Sequence, residues 1–345
     1  MSDKSKIEWC DTTWNVVAGC SKISPGCKFC YAERMAKRQV AMGCARGGDN
    51  TATWIAYSDA INPKTGKWSG EIALRYDQLD KPLHWKEPRR IFLCSMSDLF
   101  HEKVPFSFTD KIFDVMYKCP RHTFLILTKR PKQALSFVGE KGEYWFTLPN
   151  VHFGISISNQ AEADEKIPIL LQIPAAVRWL SIEPMLGAID LRCVIVGPRR
   201  RCVFDCLRGT AASEIGVIKE TVCGTINSVI VGGESGPGAR PMHPDWPRNI
   251  RDQCVAANVP FYFKQWGAWE IANKENATRN GYVVTESRQG FLTPYNKKKF
   301  VNLNGDGSYY RDNPQPNSIA MARVGKKKAG CILDGKIWKQ LLERK

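Results

Sequence analysis

The chain lacks an apolar run approaching the ~18 residues that a membrane-crossing helix needs, so no transmembrane segment is expected. Its opening, Met1 to Lys6, has no apolar stretch behind it, so no secretory leader is expected and the compartment read from the sequence is the cytoplasm. No internal repeat recurs at a solenoid period. No Gly-x-Ser-x-Gly elbow and no His-Glu-x-x-His helix is present, which leaves a serine hydrolase or zincin without support. Acidic residues are scarce: 34 Asp and Glu stand against 50 Lys and Arg, a net charge of +16. Such an excess favours a polyanionic partner, most simply nucleic acid, through phosphate neutralisation and counterion release; the plainer reading is a solvated basic surface.

What is present is an ordinary globular composition. Of 345 residues, 43% are hydrophobic, enough for a sizeable core, and the length suits two domains or a single α/β barrel. Cysteine is abundant at 13, an odd number. Without an export signal, metal binding or plain burial is a better reading than a disulfide framework.

Seven short β-branched and aromatic runs recur: 12–17, 90–94, 123–127, 151–157, 177–182, 228–231 and 260–263. Several are almost continuously apolar, as parallel strands buried on both faces are. Helical spacing lies between them, over 31–42, 107–117, 131–138, 161–171 and 244–257, with Phe108, Ile112 and Met116 on one face and Trp246, Ile250 and Cys254 on another. This alternation predicts an α/β fold of parallel βα units, a full or partial (βα) barrel. The expected organisation is a barrel over 1–271, interrupted by insertions at 43–88 and 192–225, then a basic C-terminal extension over 272–345. The second insertion carries Arg199, Arg200 and Arg201, and 323–345 holds eight basic residues against two acidic ones. Both segments read equally as solvated faces or phosphate-contacting ones.

The most informative stretch is the loop 19–31 after the first strand. It spaces Cys20, Cys27 and Cys30 as C-x6-C-x2-C around a Pro25-Gly26 turn. Three thiolates on one loop suit a soft metal or an iron–sulfur cluster and leave one coordination position open. A closed zinc site needs a fourth protein ligand, for which Cys10, Cys44 or a histidine are the candidates.

A three-cysteine loop after the first strand of a βα barrel, with Phe29 just before the last cysteine, resembles the radical S-adenosylmethionine enzymes. That resemblance implies a [4Fe–4S] cluster held by Cys20, Cys27 and Cys30, S-adenosylmethionine on the remaining iron, Phe29 near its adenine, and an external electron donor. The usual first gap in that superfamily is three residues; here it is six. Over nearly the whole chain, Thr13-Trp14-Asn15, the segments 31–35, 95–101 and 127–131, Leu180-Ser181-Ile182-Glu183-Pro184, the segment 231–236 and 263–267 resemble an uncharacterised three-cysteine-motif family of bacteriophages and bacteria. The phage-like resemblance favours nucleic-acid modification or repair.

These motifs fall at the C-terminal ends of the predicted strands, where parallel α/β folds bind ligands. Ser95, Ser97 and Asp98 follow the second strand, Lys129 and Arg130 the third, Ser156, Ser158 and Asn159 the fourth, and Glu183 the fifth. Gly232, Gly233 and Glu234 follow the sixth, and Lys264 and Gln265 the seventh. Asp98 or Glu234 suits the S-adenosylmethionine ammonium, Lys129 or Arg130 its carboxylate, and Ser158 or Asn159 the ribose. Asp98, Glu183 and Lys264 are the candidate catalytic groups. The Gly-Gly-Glu segment sits after the sixth strand rather than the second, so its role in the superfamily is not carried over; a tight turn is the bland alternative. His101 reads as a surface or cap residue, or else a relay. Cys94 reads as core, Cys202 and Cys206 as a weak second metal pair, and Trp266 and Trp269 as core or base-stacking residues.

The expected function is thus a radical S-adenosylmethionine-like iron–sulfur enzyme acting on nucleic acid or a nucleotide-derived substrate. Its rivals are a non-catalytic nucleic-acid-binding protein with a structural zinc or iron–sulfur site, and an iron–sulfur redox protein without radical chemistry.

Overall fold

The computed structural model describes residues 5–45, 52–196, 202–213, 216–218, 224–272, 285–286, 292–293, 300–310 and 315–341. Seven strands carry the fold: β1 (Thr12–Trp14), β2 (Arg90–Leu93), β3 (Thr123–Thr128), β4 (Val151–Ile157), β5 (Val177–Ile182), β6 (Ser228–Gly232) and β7 (Phe261–Gln265). They pair in chain order, all parallel, in one sheet that curls into a half-barrel. Of the two predicted forms, the partial barrel is the one found. Helices α1 (Tyr31–Ala45), α2 (Phe106–Tyr117), α3 (Pro131–Lys141), α4 (Gln160–Gln172) and α5 (Asp245–Ala256) alternate with the strands, except between β5 and β6, where no helix lies among the described residues.

Strand β4 shows why the apolar runs are continuous. All seven of its residues are buried. Val151, Phe153, Ile155 and Ile157 join the main core with Phe113 of α2, Phe137 of α3 and Leu170 of α4. The opposite faces of the strands form a second, inner cluster, in which Phe92, Leu125, Trp179, Ile230 and Tyr262 surround Trp9 and Cys10. The Trp9 ring lies 4.6 Å from Phe92 and 5.5 Å from Trp179. Gly154 leaves room for this plug, since a Cβ there would stand 2.4 Å from the Trp179 ring. The concave side is therefore packed at its floor and polar only above, at the strands' C-terminal ends.

One expectation changes, and two segments named from the sequence gain a structure. The first strand stops at Trp14, and Val17–Ala18 pairs antiparallel with Ala73–Leu74 of the first insertion instead, because the chain leaves the sheet for a new partner. The second insertion is an antiparallel four-stranded sheet of Val194–Val196, Cys202–Asp205, Thr210–Ser213 and Gly216–Ile218. Arg199, Arg200 and Arg201 lie outside the described residues. The described part of the C-terminal extension folds back onto the barrel: Ile319–Arg323 pairs with Trp269–Ile271, and Phe263 N donates to Trp338 O at 2.8 Å and Gln340 N to Phe261 O at 3.2 Å along the free edge of β7. That edge would otherwise present unpaired backbone groups. Among the described residues, no helix is long and apolar enough to cross a membrane.

Candidate functional site

A cavity of about 500 Å³ opens at the C-terminal ends of the strands. The cysteine loop supplies one wall, with Cys20, Cys27, Phe29 and Cys30. From the residues after β2 come Cys94, Ser95, Ser97 and Asp98, and from those after β3 Lys129 and Arg130. Ser156, Glu183, Gly233, Glu234, Lys264 and Gln265 complete it from the remaining strands. The convergence expected from the strand-end rule is thus found for most of the named residues.

Ser158, Asn159 and Gly232 do not line this cavity, and each has a local task. The Asn159 side chain caps α4, accepting from Glu162 N at 3.0 Å. Ser158 is fully buried behind the cysteine loop, where a Cβ on Gly26 would come within 2.6 Å of its Oγ. A Cβ on Gly232 would stand 2.6 Å from Glu183 Oε1. The double glycine serves packing as well: a Cβ on Gly233 would meet Trp266 O at 2.0 Å. Trp266 and Trp269 are core residues whose indole N–H groups donate to Ile332 O and Ala239 O.

The cysteine loop is held at both ends. Ser24 Oγ accepts from Gly26 N at 3.1 Å and starts a short 3-10 turn over Pro25–Cys27. At the Cys20 end, Arg130 donates to Ser21 Oγ at 2.7 Å and to Ser21 O at 3.2 Å. Its Nη1 stands 4.0 Å from Cys20 Sγ and 3.3 Å from Asp98 Oδ2, and its Nε contacts both Glu102 oxygens. At the Cys27 end, Arg240 donates to Pro25 O at 3.0 Å and places its guanidinium 5.5 Å from the Phe29 ring centre.

Two of the predicted acids are committed. Asp98 accepts from Phe100 N, Thr128 Oγ1, Lys129 N and Arg130 Nη1, so it fastens β2 to β3. Glu234 is clamped by Arg240. Glu183 differs: Lys264 Nζ lies 2.8 Å from its Oε1, and among the described residues its Oε2 accepts only a 3.3 Å bond from Ser181. Lys129 Nζ donates to Ser156 Oγ and makes no ion pair among the described residues. Two buried atoms on the wall, Trp9 Nε1 and Gln265 Oε1, have no hydrogen-bond partner among the described residues. Unsatisfied groups of this kind cost about 1–3 kcal/mol each.

Burial pushes the Cys20 thiol up to about 12; the Asp98 charge adds to this and Arg130 opposes it, and Cys30 and Cys27 add smaller upward contributions. A metal taken by that thiol would displace its proton. Among the described residues, no three His, Cys, Asp or Glu side chains converge on a single metal-ion position. The thiolates of an iron–sulfur cluster each bind a different iron, so they spread over more space than the ligands of one ion. Three thiols on one cavity wall fit that donor set. The candidate fourth ligands for zinc are engaged or remote. Cys10 Sγ bonds Ser5 Oγ and Ile7 O within the inner cluster. Cys44 lies 14 residues beyond Cys30, near the far end of α1, roughly 21 Å along the helix. His101 is buried, not on the surface: it bonds Ser21 Oγ at 2.9 Å and accepts from Lys103 N.

Cys94 follows β2 in a left-handed conformation, φ 53°, and belongs both to the core and to the cavity wall. Cys206 is buried in the main core, where burial raises its thiol pKa. The sequence reading missed Arg240, Ser21 and Glu102, as well as Lys6 and Lys326 at the cavity. The basic character of 323–345 was the one signal pointing to Lys326.

The model of a family described as protein of unknown function (DUF5131) matches residues 4–342. The chain belongs to the DUF5131 family. No curated protein and no solved structure matches it.

Proposed function

We propose that this DUF5131 protein is a radical S-adenosylmethionine-type iron–sulfur enzyme with a nucleic-acid or nucleotide-derived substrate. The observation that carries the reading is the placement of the Cys20, Cys27 and Cys30 thiols on the wall of a cavity at the C-terminal ends of a parallel half-barrel. When bound, a cluster there supplies one electron, drawn from an external low-potential donor, that splits the C–S bond of S-adenosylmethionine into methionine and a 5′-deoxyadenosyl radical able to take a hydrogen atom from substrate.

The chain's own residues supply binding and order. Lys129, without a carboxylate partner among the described residues, takes the ligand's carboxylate. Arg130 is committed to Asp98, Glu102 and Ser21 and cannot. Glu183 is the carboxylate with spare acceptor capacity and takes the ammonium, with Lys264 yielding part of its contact. Gln265 Oε1 accepts an N–H from ligand or substrate. The exposed ammonium groups of Lys6 and Lys326, at the same cavity, favour a phosphate-bearing substrate.

The test is anaerobic reconstitution with iron and sulfide, reduction, addition of S-adenosylmethionine and assay for 5′-deoxyadenosine. Cluster assembly and 5′-deoxyadenosine, both lost in Cys27→Ala, are expected. One zinc per chain with no cleavage product would overturn the proposal in favour of a structural metal, and a cluster without cleavage in favour of a redox role.

A further inference from the structure

We infer that Arg130 is a positioning residue for the Cys20 sulfur and sets the reduction potential of the iron–sulfur cluster bound there. This rests on the reading that Cys20 is a cluster ligand, and it assigns a role that reading does not contain.

The geometry is unusually constrained for a long side chain. Arg130 has a side chain only 4% exposed, and every nitrogen of its guanidinium is used. Nε faces Glu102 at 2.9 and 3.0 Å, Nη2 grips Ser21 through both its hydroxyl and its carbonyl, and Nη1 divides between Asp98 and Cys20 Sγ. The six residues between Cys20 and Cys27 make a longer span than a three-residue gap would. Ser21, next to Cys20, is therefore the point at which this end of the loop must be fixed, and Arg130 fixes it from the turn between β3 and α3.

Fixing the loop brings a cation and an N–H donor to the ligand sulfur. Reducing a cluster adds one negative charge, which a hydrogen-bond donor and a positive charge at the sulfur stabilise; both raise the potential. Low solvent exposure keeps the interaction from being screened. Asp98, 3.3 Å from Nη1, opposes the effect from behind, and Glu102 opposes it more weakly, because its side chain is 54% exposed. The signs for Arg130 and Glu102 are therefore opposite. Loss of the Arg130 charge lowers the potential; loss of the Glu102 charge raises it.

The experiment compares the full-length wild-type chain with Arg130→Gln, Arg130→Lys and Glu102→Gln, each reconstituted anaerobically. Iron and sulfide are counted, and the one-electron midpoint is read by EPR at controlled potentials. Arg130→Gln is expected to weaken reduction about tenfold, a downward shift of ~59 mV for one electron. Arg130→Lys, keeping the charge without the fork, should fall between, and Glu102→Gln should move upward. A full cluster in Arg130→Gln with an unchanged midpoint overturns the inference and leaves the cluster reading intact. Equal shifts in one direction for Arg130→Gln and Glu102→Gln also overturn it, since loop displacement alone would produce them. If Arg130→Gln cannot hold a cluster, Glu102→Gln decides: an upward shift supports the inference and an unchanged midpoint overturns it. A wild-type chain that assembles no cluster overturns the functional reading and this inference together.

Discussion

Arg240 grips both carboxylate oxygens of Glu234, Nε to Oε2 and Nη2 to Oε1 at 2.8 Å each, and with the same Nη2 reaches Pro25 O at 3.0 Å. One side chain thus ties the loop after β6 to the cysteine loop. The Glu234 side chain is 5% exposed and Arg240 23%. Arg240→Ala leaves a buried carboxylate without its cation, holding only the bond from the backbone N–H of residue 240; losing the partner of a fully buried pair costs about 3–5 kcal/mol, and the partial exposure of Arg240 and the retained bond put the expectation at the low end. Urea unfolding measures this. Iron retention after reconstitution should fall in parallel, and Arg240→Lys, which cannot make the two-pronged contact, should recover only part of both.

Gly233 and Gly139 make a matched pair. A Cβ on Gly233 would meet the Trp266 carbonyl at 2.0 Å, where backbone opposes backbone and no rotamer gives way. Gly233→Ala should separate the ends of β6 and β7 and destabilise by several kcal/mol. Gly139 sits on the exposed face of α3, where an added Cβ would meet nothing within 4 Å, and its Ala variant should stabilise by roughly 0.5–1 kcal/mol. Thermal unfolding of the two variants should therefore move in opposite directions.

The sequence showed the barrel wherever burial on both faces made a strand continuously apolar, as in Val151–Ile157 and Val177–Ile182, whose ends match the structure residue for residue. It showed the cavity because strand ends converge in any parallel α/β fold. It could not show the Trp338–Gln340 contact with β7, which is made by backbone groups and leaves no periodicity. Nor could it show Arg240, whose role depends on Pro25, 215 positions away, or the burial of His101, which depends on Ser21, 80 positions away. Asp98 and Glu234 looked like ligand acceptors because their partners, Arg130 and Arg240, could not be paired with them by spacing.

Two buried histidines give stability a pH dependence of definite sign. His101 and His122 both have pKa values lowered from 6.5, by burial first; Arg130 acts in the same direction on His101, while for His122 the Pro82 carbonyl opposes the shift. The unfolded chain then binds more protons than the folded one between each folded pKa and 6.5. Stability is complete above pH 6.5 and declines as the pH falls through that window. Urea unfolding of the metal-free protein at successive pH values should show this slope, and His101→Asn with His122→Gln should flatten it. A slope unchanged in the double variant would assign the decline to other groups.

The lysines near the cavity carry the substrate argument. Lys326, Lys327 and Lys328 are exposed, lie between Gly325 and Gly330, and make no ion pair among the described residues. Lys132, on α3, is also exposed but pairs with Glu165. If a nucleic-acid strand crosses the cavity, each lysine that neutralises a phosphate adds about 0.7 to the salt slope of binding for a single strand and about 0.9 for a duplex. Replacing all three of Lys326, Lys327 and Lys328 by Gln should lower the slope by about 2 on a single-stranded oligonucleotide, and Lys132→Gln should leave it alone. A triple variant with wild-type slope would remove the polymer from this face. A free nucleotide would then be the phosphate source to test next, because Lys129 inside the cavity still lacks an anionic partner among the described residues and a small ligand could reach it without touching the rim.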